Sequence, residues 1–490
     1  MTRLSDRTIP SLASSVRRPA YDRAQLKTGI VHLGIGAFHR AHQAVYTDDV
    51  LASGDLGWGT LGASLRSPDT RDALLPQNGL YAVNVRAGDH DEVRVIGALT
   101  GVVVVPENPA TLLERMTDPD VRIVSLTVTE KGYCHNPATG ELDPNNPDVR
   151  HDLEHAAAPR SAPGLIVEAL GRRRAAGIAP FTVLSCDNLP SNGVVTKRVL
   201  AGLAGLRDGD LGRYVEAEVA CPSTMVDRIV PATTDGDRDR VAALLGLEDS
   251  WPVMAEPFSQ WVIEDHFPAG RPDWPGATFV EDVEPFELMK LRLLNGSHST
   301  MAYLGYLSGS ETIADAVRQE GMERLVRRLM DDEVTPTLPR LPGFDLAAYK
   351  DQLFQRFRNP ALKHRTWQIA MDGSQKLPNR LLGPARERIT QGLPIERIAL
   401  CLAAWMRYVA GTDERGAPID VRDPLATDLR ARADAAGRDP DRIVDALLGM
   451  RQMFGTDLPA EPRFREPVRN WLATLFERGA AETVRMAAAM

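Results

Sequence analysis

The run Gly29-Ile-Val-His-Leu-Gly34-Ile-Gly36-Ala-Phe-His39-Arg40-Ala-His42 decides the fold. Ile30, Val31 and Leu33 form a short apolar run of the kind that is buried as a strand between two layers. Gly34-Ile-Gly36 predicts a tight turn, and a helix is expected from there to about residue 53. Strand, glycine turn and helix in that order predict the first βα unit of a dinucleotide-binding fold. Its glycines let the backbone approach a pyrophosphate, and its helix start offers N–H groups. Gly34, Gly36, Ala37, Phe38, His39 and Arg40 are the coenzyme-binding candidates of this unit. His39 stands where the usual fingerprint has a third glycine, so the two glycines alone also fit an ordinary strand–turn–helix.

The next strand, Gly59 to Arg66, ends in Arg66-Ser67-Pro68-Asp69. Asp69 there suits the ribose hydroxyls of NAD, and Arg66 suits the 2′-phosphate of NADP. Short β-type runs over 80–105 predict an antiparallel excursion from a parallel sheet. Val121 to Thr129 is a β-branched strand that runs into Glu130-Lys131-Gly132-Tyr133. Ligands of open α/β sheets lie beyond the carboxyl ends of strands, so Thr129, Glu130 and Lys131 are expected near a nicotinamide. Phe181 to Cys186 is the following strand, and Asp187-Asn188 ends it. An amide at that place can donate to a substrate oxygen. Further on, Asp227 and Arg228 are adjacent charges that are costly to bury unless paired.

After Pro285 the pattern becomes helix after helix, separated by Pro- and Gly-containing loops. The expected organisation is an α/β, Rossmann-like domain over 1–283 and an all-α domain over 284–490. The first helix of the second domain carries Glu287-Leu-Met-Lys290-Leu-Arg-Leu-Leu-Asn295-Gly-Ser-His298. At about 100° per residue, with Lys290 at zero, Glu287 falls near 60°, His298 near 80° and Asn295 near 140°, all about one face. A lysine, a carboxylate, an amide and an imidazole facing one way can hold and deprotonate an alcohol. A solvated face with ordinary helix ion pairs is the bland alternative.

Composition narrows the class. The 490 residues exceed one hydrophobic core. A net charge of −9 speaks against a nucleic-acid or membrane-surface role. No uninterrupted apolar run is long enough to span a bilayer, and the polar first 28 residues lack a secretory signal's apolar stretch. The four cysteines are scattered without metal-ligand spacing, so reduced thiols in a cytoplasmic protein, and no metal, are expected. The partner expected is a small molecule, and the chain is expected to be a monomer or small homo-oligomer.

Taken in order, the Gly34–His42 turn, Thr127-Val-Thr-Glu130-Lys-Gly-Tyr, Asp187-Asn188, Ser223-Thr-Met-Val-Asp227-Arg-Ile-Val-Pro, the Lys290–His298 helix and Asp372-Gly-Ser-Gln-Lys376 resemble the mannitol dehydrogenase family of long-chain, metal-independent polyol and uronate dehydrogenases. The resemblance runs from about residue 29 to about residue 450. It implies NAD as coenzyme, Lys290 as general acid/base, and Asn188 and Asn295 as stabilisers of the alkoxide-like oxygen. It implies His298 as a ligand of a substrate hydroxyl, Asp227 and Lys376 as substrate contacts, and Glu287 as a proton-relay or gating group. The segment His364 to Arg380 looks closest to the fructuronate reductase (D-mannonate oxidoreductase) branch, because Gln368 stands where the plain polyol branch carries arginine. Lys363, His364, Arg365, Lys376 and Arg380 are then the candidates, one or two of which would grip a substrate carboxylate, the alternative being a basic helix face in solvent. The expected reaction is NAD-linked interconversion of D-mannonate and D-fructuronate. The alternatives are a mannitol 2-dehydrogenase or D-arabinitol dehydrogenase and, in another class, a non-catalytic NAD(H)-binding regulator.

Overall fold

The computed structural model describes residues 1–88, 90–137, 139–341 and 343–490. The chain divides into two compact units, Met1–Glu284 and Pro285–Met490. The strands of the first are β1 (Thr28–Leu33), β2 (Gly59–Ser64), β3 (Tyr81–Ala87), β4 (His90–Ile96), β5 (Leu99–Val104), β6 (Ile123–Leu126), β7 (Thr182–Ser185), β8 (Thr224–Asp227), β9 (Val253–Ala255), β10 (Gln260–Glu264) and β11 (Thr278–Val280).

A five-stranded sheet in the order β5-β2-β1-β6-β7 is parallel throughout. Alternation along the strands explains why it is covered on both faces. Val31, Leu33, Val124 and Leu126 enter one apolar cluster, and Ile30, Ile123 and Leu184 enter the other. Burying each such side chain contributes about 1.5–3 kcal/mol, which is why the strands read as continuous apolar runs. Chain order runs outward from β1 to β2 and β5 on one side and to β6 and β7 on the other, so the direction reverses between β1 and β6. That is the switch point at which open α/β sheets bind ligands.

The sheet corrects one expectation. Of the three β-type runs over 80–105, only β3 and β4 form an antiparallel pair, and β5 instead lies parallel to β2 at the edge of the main sheet. Parallel neighbours need a long crossover, and residues 65–98, hairpin included, supply it. Two small sheets, β4-β3-β9 and β11-β10-β8, complete the unit. The expected first helix is also interrupted. It runs Ala37–Ala41 and resumes at Gln43–Ala52, because His42 takes a non-helical conformation with φ −124° and ψ −91°.

The second unit is helical. The helix Glu396–Val409 is buried from Ile398 to Val409 and packs against Gly296–Leu307 and Pro462–Ala489. Among the described residues three segments wind as π-helix: Lys290–Asn295, Leu329–Val334 and Pro378–Leu382. Buried Arg292 bridges the regions that follow the second and third. It donates to the Thr337 carbonyl at 2.6 Å and to Glu387 at 2.7 Å. Among the described residues no helix is long and apolar enough to cross a membrane.

Candidate active site

The glycine turn follows β1 directly. Gly34 has φ +97°, and a Cβ there would stand 2.1 Å from the Thr127 carbonyl oxygen, so glycine is required by the approach of β6. Gly36 is different. It is exposed, and the nearest atom to a Cβ there is 3.9 Å away, leaving the outer side of the turn open. Ala37 and Phe38 are half-buried beside it.

His39 and Arg40 do not face outward. The buried His39 ring stacks on His32 with centroids 3.4 Å apart. Arg40 is buried and donates to the Trp251 carbonyl at 2.6 Å, with its guanidinium over the Tyr81 ring. Both side chains take part in the packing beneath the turn, because a helix start with a buried face turns these two positions inward. Burial holds His39 well below the ordinary imidazole pKa. It also holds His32 down to about 3, against the hydrogen bond with Gly34. His32 lies between the hydroxyls of Ser125 and Thr127, each 2.8 Å away, and Thr127 donates to the Gly34 carbonyl.

At the end of β2, Arg66 and Asp69 are exposed, and the Ser67 hydroxyl donates to Asp69 at 2.9 Å. At the end of β6, Thr129, Glu130 and Lys131 are exposed. Thr129 has φ +66° and ψ 162°, a region that only glycine enters without strain. Beyond β7, Asp187 is half-buried and Asn188 is exposed. The structure thus gathers these groups along the carboxyl edge of the parallel sheet. Asp227 ends β8 and is 5% exposed. Its neighbour Arg228 is satisfied by the carbonyls of Ala41 and Glu256.

In the second unit, the π-turn changes the geometry expected of the Lys290 helix. The Gly296 N–H reaches back to the Leu291 carbonyl, a five-residue step. A π-turn advances about 82° per residue, which moves Asn295 to about 50° and His298 to about −10° relative to Lys290. With Glu287 at about 60°, the four groups share an arc of about 70° rather than about 140°. Glu287, Lys290, Asn295 and His298 are all half-buried, and Leu293, Leu294 and Met301 are buried on the inner side.

His298 lies 4.9 Å from the Phe357 ring and 5.7 Å from the His364 ring, centroid to centroid. Burial, then His364 and the cationic Arg356 and Arg380, hold His298 well below the ordinary value. Burial and Arg356 bring His364 down to about 4. Arg380 donates to the Ser299 hydroxyl at 3.0 Å and to the Asn295 carbonyl at 3.4 Å. Lys376 donates to the Met371 carbonyl at 2.7 Å, and its amine is lowered by burial and by Arg380, against Asp372. Arg365 and Gln368 are exposed. Arg356, buried beside His298 and His364, was not among the sequence candidates.

The comparisons agree along the whole chain. The mannitol dehydrogenase Rossmann domain matches residues 28–276, and the mannitol dehydrogenase C-terminal domain matches residues 282–476. The D-mannonate oxidoreductase of Escherichia coli (strain K12) is 48% identical over 491 residues, covering 99% of each chain. The Pseudomonas fluorescens mannitol 2-dehydrogenase, solved as a ternary complex with NAD and D-mannitol, is 39% identical over 99% of both chains with a TM-score of 0.85. A D-sorbitol dehydrogenase in substrate-free form is 32% identical, with a TM-score of 0.92 over 98% of this chain and 100% of its own. A parallel sheet with a glycine turn at its switch point, a Lys–Asn–His helix and these matches lead to one conclusion: the chain belongs to the mannitol dehydrogenase family.

Proposed function

We propose that this protein is an NAD-dependent oxidoreductase that interconverts D-mannonate and D-fructuronate by oxidation and reduction of a secondary alcohol. The observation that carries the choice of substrate is the positive surrounding of His298, where the guanidinium groups of Arg356 and Arg380 lie and Lys376 stands beside Arg380. An aldonate brings a carboxylate for such groups to hold, and a neutral alditol does not. The 48% identity to a D-mannonate oxidoreductase supports the same reading.

The first unit has the features an NAD site needs. Gly36 leaves room for close approach of a pyrophosphate, exposed Asp69 suits the ribose hydroxyls, and the turn at Thr129–Lys131 lies at the carboxyl end of β6. When bound, NAD accepts the hydride released from the alcohol carbon. The rest is done by this chain's side chains. The Lys290 amine takes the hydroxyl proton during oxidation and returns one during reduction. Amide N–H groups of Asn188 and Asn295 donate to the oxygen as charge develops on it. His298, kept neutral, accepts from or donates to a neighbouring hydroxyl. Glu287, on the same arc as Lys290, passes the proton onward. Asp227, His364, Arg365 and Lys376 orient the remaining polar groups of the substrate.

The test is a comparison of kcat/KM for D-mannonate and D-mannitol with NAD. A ratio favouring mannonate by at least tenfold is expected. Turnover of mannitol with none of mannonate overturns this reading in favour of a polyol dehydrogenase. NADH binding without turnover of any member of a polyol and aldonate panel favours a coenzyme-binding regulator.

A further inference from the structure

Two adjacent strand ends in the first unit are tied by one carboxylate. The Asp187 side chain accepts from the backbone N–H of Val128 at 2.9 Å and of Thr129 at 3.0 Å. It also accepts from the Tyr133 hydroxyl at 2.8 Å, and that hydroxyl lies 2.5 Å from Ser185 Oγ. The backbone behind Asp187 is itself fixed. Buried Asn192 donates to the carbonyls of Asp187 at 3.0 Å and Thr224 at 2.9 Å, and its oxygen accepts from the Thr224 N–H.

The residue held by this carboxylate is strained. Thr129 is β-branched, yet it sits at φ +66° and ψ 162°, and such a conformation persists only where its surroundings over-determine it. Two charge-assisted hydrogen bonds to consecutive N–H groups provide that constraint. The turn they hold is the one that ends β6 at the sheet's switch point, and the next residue after the carboxylate is Asn188.

We infer that Asp187 is a positioning residue that enforces the strained Thr129 turn for the coenzyme and, through its own fixed backbone, sets the place of Asn188. The inference rests on the NAD reading above and deepens it. It adds a residue that touches neither coenzyme nor substrate and that couples the two strand ends which do.

The experiment uses the full chain and titrates NADH by fluorescence against wild type, Asp187→Asn, and Asp187→Asn with Thr129→Gly. Asparagine keeps the shape but replaces one accepting oxygen with a donor. The NADH Kd is expected to rise at least tenfold in the single variant, and saturated kcat is expected to fall at least threefold. Glycine adopts the required φ and ψ without strain, so the double variant should recover at least half of the lost affinity on a logarithmic scale. A generally destabilised fold would show no such rescue. An unchanged Kd in Asp187→Asn, or a double variant that binds no better than the single, overturns the inference. If Asp187→Asn does not fold, Tyr133→Phe carries the test: a two- to threefold rise in Kd is expected, and no rise overturns the inference. Failure of the wild type to bind NADH would instead strike the coenzyme reading itself.

Discussion

The imidazole of His298 meets that of His364 at 5.7 Å with the planes inclined by 70°, and both lie beside the guanidinium of Arg356. Burial first, then positive neighbours, depress both rings below the ordinary 6.5, His364 to about 4. As pH falls, the unfolded chain therefore takes up protons before the folded one does. Stability is full above about pH 6.5 and is lost as pH drops toward 4, by up to about 1.4 kcal/mol per unit for each group. Thermal melts at pH 7, 5.5 and 4.5 should show this decline, and His364→Gln should flatten it. An equal slope in that variant would remove His364 from the account.

Lys290 has the largest predicted effect on turnover. Lys290→Ala should lower kcat by about 10² to 10⁴ while the NADH Kd stays within about twofold of wild type. Lys290→Met should behave in the same way. Turnover at the wild-type rate in either variant would assign the proton transfer elsewhere.

Lys376 bears on substrate choice. Its amine is held by the Met371 carbonyl and lies near Arg380 and Asp372. Hydrogen bonds to charged groups contribute about 1.5–3 kcal/mol. Lys376→Met should therefore lower kcat/KM for mannonate by about tenfold or more, acting mainly through KM. The ratio of mannonate to mannitol specificity should fall with it. Equal losses on both substrates would show that the amine does not read the carboxylate.

The parallel sheet was legible because Val, Ile and Leu fill both faces of its strands, and Gly34-Ile-Gly36 marks where β1 ends. The π-turn at Lys290–Asn295 was not, since apolar spacing encodes an α-helix and a five-residue step leaves no compositional mark. Arg40 reads in sequence as a coenzyme-binding candidate, and its packing against Tyr81 and Trp251 becomes visible only in the folded chain. Arg356 carried a signal that goes unused when charge alone is read. Leu353, Phe354, Arg356 and Phe357 are all buried, and that spacing places the arginine on the apolar face of its helix. Asp187 is a different case: its neighbour Asn188 draws attention as a donor, and only the folded chain shows that the carboxylate reaches Val128 and Thr129.

The two glycines of the turn should separate stability from coenzyme binding. A methyl group on Gly34 would meet the Thr127 carbonyl at 2.1 Å, and its φ of +97° disfavours any side chain. Gly34→Ala should therefore cost at least about 2 kcal/mol of folding stability, seen as a lower Tm. Gly36 has φ −81°, which alanine tolerates, and the nearest atom to its Cβ would be 3.9 Å away. Gly36→Ala should thus leave Tm within about 2 °C of wild type, because nothing in the protein is displaced. If a pyrophosphate rests against this backbone, the same methyl group should raise the NADH Kd by about tenfold or more. Calorimetry and NADH titration on both variants read the two effects independently. Normal NADH affinity in Gly36→Ala would mean that the open side of the turn is not where the coenzyme lies.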